Sequence, residues 1–182
     1  MARDAHGRPD LDRWLSEPVV RTSHRRSSQA TPEAVWAAAG AVALRDSRLL
    51  GRLVALKIAG VSPQTSFAAM FRAPPFVLLE EGETFAVSGL CGRIWAMRGE
   101  LGRLASPQDF RDWREPGTAR VLFAHWAAAA GDGGSTLHSE VRVAAVDRRA
   151  LLYMRALEPF IAAFQGLVGR EALALAVRRA GG

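Results

Sequence analysis

Apolar runs in the middle of the chain predict a set of β-strands. Residues 19–28 begin with β-branched side chains and then turn polar, which predicts a strand with an exposed face near a sheet edge. Residues 76–81 and 84–90 are two apolar runs separated by Glu-Gly-Glu, a pattern typical of a hairpin. A further strand is expected within residues 92–101, around Ile94, Trp95 and Met97.

The strongest hairpin pattern lies between residues 119–128 and 136–146. These two long runs are joined by a glycine-rich segment, residues 131–135, and glycine supplies the positive φ angles that tight turns need. We expect one face of this hairpin to turn toward the core. Its apolar members are Leu122, Trp126, Leu137, Val141 and Val143.

Two short helices are predicted after the first strand. Thr31 is placed to cap the first helix, and Pro32 and Glu33 follow at positions that favour a helix start. Residues 49–59 carry leucines at helical spacing and precede Gly60, a plausible helix end. A short helical turn is also expected after Ser106.

A long helix is predicted from Asp147 to about Arg179. Pro159 removes one backbone hydrogen bond and is expected to kink this helix near residue 155. Its apolar side chains recur at helical spacing: Tyr153, Leu157, Phe160, Phe164, Val168 and Leu175.

The order of these elements indicates an α+β fold. Antiparallel strands with segregated helices must bury a sheet face, and the last helix is the large apolar partner available. We therefore expect a curved antiparallel sheet wrapped around the C-terminal helix, with an apolar cavity between them. Residues 18–180 are predicted to form one domain, preceded by a charged, flexible tail over residues 1–17 that becomes ordered only if it docks on the domain.

Composition excludes several classes of protein. About half of the 182 residues (49%) are hydrophobic, so a sizeable core can form. Cys91 is the single cysteine and has no adjacent base, so we expect a buried thiol and no disulfide. The histidines show no metal-binding spacing, and no metal or cofactor is expected. The chain has neither a secretory leader pattern nor an apolar run long enough to span a bilayer, which favours a cytoplasmic protein.

The net charge of +6 does not by itself indicate a nucleic-acid partner. Lys57 is the single lysine among 24 basic residues, and the arginines are scattered along the chain. No nucleic-acid reading motif accompanies the charge, so we do not expect nucleic-acid binding.

Three segments resemble the START-like, or SRPBCC, superfamily. Residues 30–36 (ATPEAVW) resemble its first strand-to-helix junction, and residues 134–143 (GSTLHSEVRV) resemble its last hairpin. Residues 155–160 (RALEPF) resemble one uncharacterised bacterial branch, and the resemblance extends over residues 19–179. It implies a helix-grip fold around a deep pocket for lipids, polyketides or hormones. In some branches it implies cyclase, hydratase or ring-hydroxylating activity, but no catalytic motif or iron-ligand cluster of those branches is matched here.

His125 and Glu140 are the candidate catalytic pair. If the glycine turn pairs Ala130 with Ser135, position 125 lies opposite position 140. An imidazole and a carboxylate at that distance can act as a general acid and base. The alternative, which we favour, is a polar pair on the solvent face of the hairpin.

The leading hypothesis is a protein that binds a hydrophobic small molecule. Such a site is lined by bulky apolar side chains with a few polar groups. The candidates are Phe71, Phe85, Trp95, Trp126, Leu157, Phe160 and Phe164. Two alternatives remain open: an enzyme resembling polyketide cyclases or dehydratases that uses His125 and Glu140, and a partner-binding module whose core is completely filled. The sequence leaves the oligomeric state open.

Overall fold

The sheet is antiparallel throughout the part of the chain that the structure, a computed structural model, describes: residues 7–47, 62–96, 100–131, 133–167 and 171–181. It contains β1 (Val20–Ser28), β2 (Val77–Gly82), β3 (Phe85–Gly92), β4 (Ala119–Ala129) and β5 (Ser135–Ala145). The spatial order is β1-β5-β4-β3-β2, so β4 is the central strand and the first strand lies beside the last.

Among the described residues, two α-helices follow β1, one short α-helix lies between β3 and β4, and two α-helices follow β5. They are α1 (Pro32–Ala41), α2 (Phe67–Met70), α3 (Pro107–Asp112), α4 (Arg148–Leu167) and α5 (Leu173–Ala180). The predicted start of α1 is confirmed, because the Thr31 hydroxyl accepts a hydrogen bond from the Ala34 amide at 3.3 Å. The predicted helix over residues 49–59 lies outside the described residues.

The C-terminal helices lie across one face of the sheet. Helix α4 packs on β1 and β5, and α5 packs on α1 and β1. The predicted cap is confirmed, because Asp147 accepts a hydrogen bond from the Ala150 amide at 2.8 Å. An antiparallel sheet with its last helical segment laid across one face is the helix-grip arrangement, and the predicted fold class is confirmed. None of the described helices is both long and apolar enough to cross a bilayer.

The two sheet faces are defined here by β4. The inner face, beneath α4 and α5, carries Val121, Phe123, His125 and Ala127, and the outer face carries Leu122, Ala124 and Trp126. Both faces are covered, which corrects the expectation of one solvent-facing side. The outer face packs against Phe110 of α3 and against three side chains from the N-terminal segment: Leu11, Trp14 and Leu15.

The N-terminal segment is therefore not a flexible tail over residues 8–15. Leu11 and Leu15 are only 2% and 3% exposed. Trp14 is also buried, and its indole N–H donates to Glu80 at 3.2 Å. Three well-spaced apolar side chains among charges are enough to cover a sheet face, and this docking is the condition under which the tail was expected to become ordered.

The β4–β5 register differs by one residue from the predicted register. The Ala130 amide donates to the Gly134 carbonyl, so Ala129, rather than Ala130, pairs with Ser135. A shift of one residue moves every side chain to the other face. Leu122 and Trp126 consequently lie on the outer face, whereas Leu137, Val141 and Val143 lie on the inner face.

Two further predictions need correction. The described part of residues 92–101 does not form a strand: Gly92 has a φ of +134° and bridges to Leu101, and the Arg93 amide donates to the Glu100 carbonyl. Residues 97–99, which include Met97, lie outside the described residues. Among the α4 side chains that the structure describes, Ala150 and Met154 are buried, whereas Tyr153 from the predicted apolar stripe is 43% exposed.

Candidate functional site

Aromatic rings gather at the centre of the inner face. Phe71, just after α2, lies 5.0 Å from Phe76, 5.1 Å from Phe123 and 5.0 Å from His125, measured between ring centroids. Phe123 and His125 are two residues apart on β4, so they share a face. We call these four residues the aromatic cluster. They form an apolar surface with one imidazole within it.

The inner and outer faces of β4 differ in how completely they are covered. Leu122 and Ala124 on the outer face are both 0% exposed. Phe123 and His125, their neighbours on the inner face, keep part of their surface accessible even though they lie on the central strand. The outer face is thus closed, while the inner face retains accessible apolar surface near α2.

His125 is uncharged at neutral pH. Burial lowers the pKa of its imidazole to about 4. A neutral imidazole has one hydrogen-bond donor and one acceptor. His125 therefore adds a polar but uncharged group to the aromatic cluster.

Two buried hydroxyls on the inner face have no hydrogen-bond partner in the described structure. Ser139 lies directly across from His125 and is 1% exposed. The hydroxyl oxygen of Thr22 on β1 is also buried and without a partner. Thr22 pairs with Val141, so it is a diagonal neighbour of Ser139 on the same face. An unpaired buried hydroxyl is unfavourable unless something binds to it.

Glu140 lies on the opposite face and is held by arginines. It accepts hydrogen bonds from Arg142 at 2.8 Å, from Arg21 at 3.2 Å and from Arg8 at 3.1 Å. Burial alone would raise its pKa, but the Arg142 and Arg21 hydrogen bonds and the Arg8 charge outweigh burial and lower the pKa. The carboxylate is therefore ionised and structural.

The predicted catalytic pair is wrong because of this placement. His125 is opposite Ser139, and Glu140 is opposite Ala124. Adjacent positions on a strand point to opposite faces, so Glu140 cannot exchange a proton with His125 through a direct hydrogen bond. The favoured alternative is also wrong, since His125 faces the helices and not the solvent.

The predicted ligand-lining residues divide between the two faces. Phe71, Trp95 and Leu157 are partly buried and pack on the buried apolar core beneath the inner face. Phe85 and Trp126 pair with each other on the outer face and pack with the N-terminal segment. Phe160 and Phe164 belong to α4, but their side chains lie outside the described residues.

Phe76, Phe123, Ser139 and Thr22 were not found from the sequence. The alternation of Phe123 and His125 was a usable signal, because it places an aromatic ring and an imidazole on one face. The assumed hairpin register assigned that face to solvent.

Cysteine and metal chemistry receive no support from the described residues. Cys91 is buried as expected, and burial raises the pKa of its thiol to about 12, which keeps it protonated. In the same part of the chain, no three His, Cys, Asp or Glu side chains are grouped so that they could hold a metal ion.

Comparisons with known proteins identify no family. No protein-family profile and no curated protein sequence matches the chain. Solved structures similar to it include TTHA0849 from Thermus thermophilus, with 9% identity, a TM-score of 0.34, and coverage of 88% of this chain and 97% of that one.

Two other similar structures have equally low scores. Hypothetical protein jhp0584 from Helicobacter pylori has 11% identity and a TM-score of 0.38, with 94% of this chain and 98% of that one covered. Ara h 8.0201 has 13% identity and a TM-score of 0.29, with 83% and 99% covered. At such TM-scores, the likeness supports no assignment of function.

Proposed function

We propose that this protein binds a hydrophobic small molecule, of lipid or polyketide type, between the inner face of the sheet and the helices that cover it. The observation that carries the proposal is the accessible surface that Phe71, Phe123 and His125 retain on the covered face of the sheet. The Phe123 and His125 rings both pack against Phe71, and all three side chains are only partly buried. The helices therefore leave part of this aromatic surface uncovered.

The chemistry of the surrounding surface suits an apolar ligand. Phe71 and Phe123 are partly buried and contact each other, and Phe71 also contacts His125. Covering such surface with an apolar molecule is favourable by about 25 cal/mol for each Å² removed from water. Ligand sites of this kind combine aromatic walls with a few polar groups that fix orientation.

The sequence resemblance to the START-like superfamily agrees with this proposal. The helix-grip arrangement described above places the last helix over the same face that carries the aromatic cluster. His125 and Glu140 cannot act together as an acid–base pair in direct contact, because the two side chains lie on opposite faces. The remaining alternative is a partner-binding module with a filled core. A binding experiment with an apolar probe distinguishes it from a ligand-binding protein.

The test is a fluorescence titration with N-phenyl-1-naphthylamine, an uncharged apolar probe. We expect saturable binding to the wild-type protein. Phe123→Trp, which enlarges a side chain in the proposed site, should weaken binding at least tenfold. Trp126→Phe on the outer face is the control and should leave binding unchanged. Circular dichroism verifies that both variants are folded.

Two results would contradict the proposal. The first is no saturable uptake of the probe by folded wild-type protein, which favours a filled core. The second is equal loss of binding in Phe123→Trp and Trp126→Phe, which would place the probe elsewhere or indicate a general loss of structure.

A further inference from the structure

We infer that Ser139, with Thr22 and His125 beside it, forms a polar anchor that selects a ligand carrying an uncharged hydrogen-bonding group such as a hydroxyl or a carbonyl. This inference depends on the proposed function, since it names the chemistry of the ligand in that same site. We call the three residues the polar anchor.

The sheet register places the polar anchor on one patch of the inner face. Ser139 is the direct cross-strand partner of His125 on β4 and of His24 on β1. Directly opposite residues have Cβ atoms about 5 Å apart. Thr22 lies diagonally from Ser139. One oxygen atom of a ligand placed between Ser139 and His125 can therefore contact both.

Partners for the hydroxyls are missing within the described structure, so a ligand group that reaches them would supply the missing hydrogen bond. Ser139 is 1% exposed, and its hydroxyl makes no hydrogen bond. A hydroxyl in this position costs stability, because alanine would fill nearly the same space without an unpaired polar atom. A ligand that hydrogen-bonds to Ser139 converts this cost into affinity and specificity.

The uncharged state of the anchor determines the ligand chemistry. His125 is neutral, because burial lowers its pKa to about 4. A carboxylate or an ammonium at this position would be desolvated without an opposite charge, which is strongly unfavourable. The other ionisable side chains on the inner face of β1 are His24 and Arg26; Arg26 is exposed, so solvent screens its charge.

The experiment compares three probes of the same ring size: naphthalene, 2-naphthol and 2-naphthoate. Each is titrated by displacement of N-phenyl-1-naphthylamine at pH 7, where 2-naphthol is uncharged. The wild type should bind 2-naphthol about fivefold to tenfold more tightly than naphthalene, the value of one net hydrogen bond, and should bind 2-naphthoate most weakly. Ser139→Ala should remove the preference for 2-naphthol and leave naphthalene binding unchanged.

Ser135→Ala is a matched control. Ser135 lies on the same strand and face, is 0% exposed, and also has a hydroxyl without a hydrogen bond in the described structure. It is four residues from Ser139, or about 13 Å along a strand. Both substitutions should keep or raise the melting temperature, but only Ser139→Ala should change the ratio of 2-naphthol to naphthalene affinity.

The outcomes separate the anchor from the proposed function. Equal wild-type affinity for naphthalene and 2-naphthol overturns the anchor and leaves apolar binding intact. The anchor is also overturned if 2-naphthoate binds more tightly than 2-naphthol, or if Ser139→Ala keeps the preference for 2-naphthol over naphthalene. Failure of all three probes to displace N-phenyl-1-naphthylamine overturns the anchor alone if that probe itself binds, and overturns both proposals if it does not.

Discussion

His125 on β4 lies directly opposite Ser139 on β5, on the sheet face that the C-terminal helices cover. This pair defines the polar part of the inner face. Its neighbours are aromatic on the β4 side and include the buried Thr22 hydroxyl on the β1 side. The arrangement suits recognition of an uncharged group better than proton transfer, because no carboxylate orients or charges the imidazole on this face of the described structure.

The neutral state of His125 should make the fold sensitive to acid. Its folded pKa of about 4 lies below the ordinary histidine value of 6.5. As the pH falls from about 6.5, the unfolded chain binds a proton that the folded protein does not, so the free energy of unfolding decreases until the pH reaches about 4. The total loss should be about 3 kcal/mol. Urea unfolding at several pH values measures it.

The contributions of His138 and of the carboxylates to the pH dependence of stability must be distinguished from that of His125. Burial and the charges of Arg25 and Arg8 also lower the pKa of His138, so it adds to the same pH window. Glu140 has a lowered pKa and loses its contribution at lower pH, below its ordinary value. His125→Asn should flatten stability between pH 6.5 and 4.5 more than His138→Gln does. An unchanged slope in His125→Asn would contradict the assignment.

The arginine network around Glu140 should be important for stability. Glu140→Gln leaves Arg142, which is 3% exposed, without its buried carboxylate partner. Removing one member of a buried ion pair typically costs about 3–5 kcal/mol. Chemical denaturation measures the loss. The exposed pair of Arg72 and Glu81 supplies the control, since Glu81→Gln should cost less than about 1 kcal/mol.

The N-terminal segment should behave as part of the fold. Trp14 is 7% exposed, packs on the outer face, and donates a hydrogen bond to Glu80. Trp14→Ala should lower the free energy of unfolding by about 3 kcal/mol. Leu152→Ala, at a side chain that is 68% exposed, should have little effect. Equal stability of Trp14→Ala and the wild type would show that residues 8–15 are not docked.

Gly89 should tolerate no side chain. A Cβ at this position would lie 2.5 Å from the Phe110 ring, which is itself 0% exposed. Gly89→Ala should therefore destabilise the protein by about 1–3 kcal/mol through overpacking. Gly131 has open space around it and no positive φ, so Gly131→Ala should be neutral or slightly stabilising. Thermal unfolding of the two variants provides the comparison.

Local patterns predicted much of the fold. The Thr31–Pro32 helix start, the Asp147 cap and the two hairpins all depend on short-range chemistry, and the structure contains each of them. The fold class followed from the order of those elements, because antiparallel strands with segregated helices need a helical cover on one face.

The candidate site was only partly predictable because it depends on register. The turn after β4 closes with a hydrogen bond from Ala130 to Gly134, one residue away from the assumed pairing. That single shift separated His125 from Glu140 and moved Trp126 to the outer face. Docking of Leu11 and Trp14 on the outer face is a long-range contact that no local pattern specifies.

Chemical-shift mapping of isotope-labelled protein with 2-naphthol tests the central claim most directly. If the ligand binds on the inner face, addition of 2-naphthol should shift the signals of Phe71, Phe123, His125 and Ser139. The indole N–H signal of Trp126 on the outer face should stay in place. Shifts confined to Trp126 and the N-terminal segment, or none at a saturating concentration, would contradict the account.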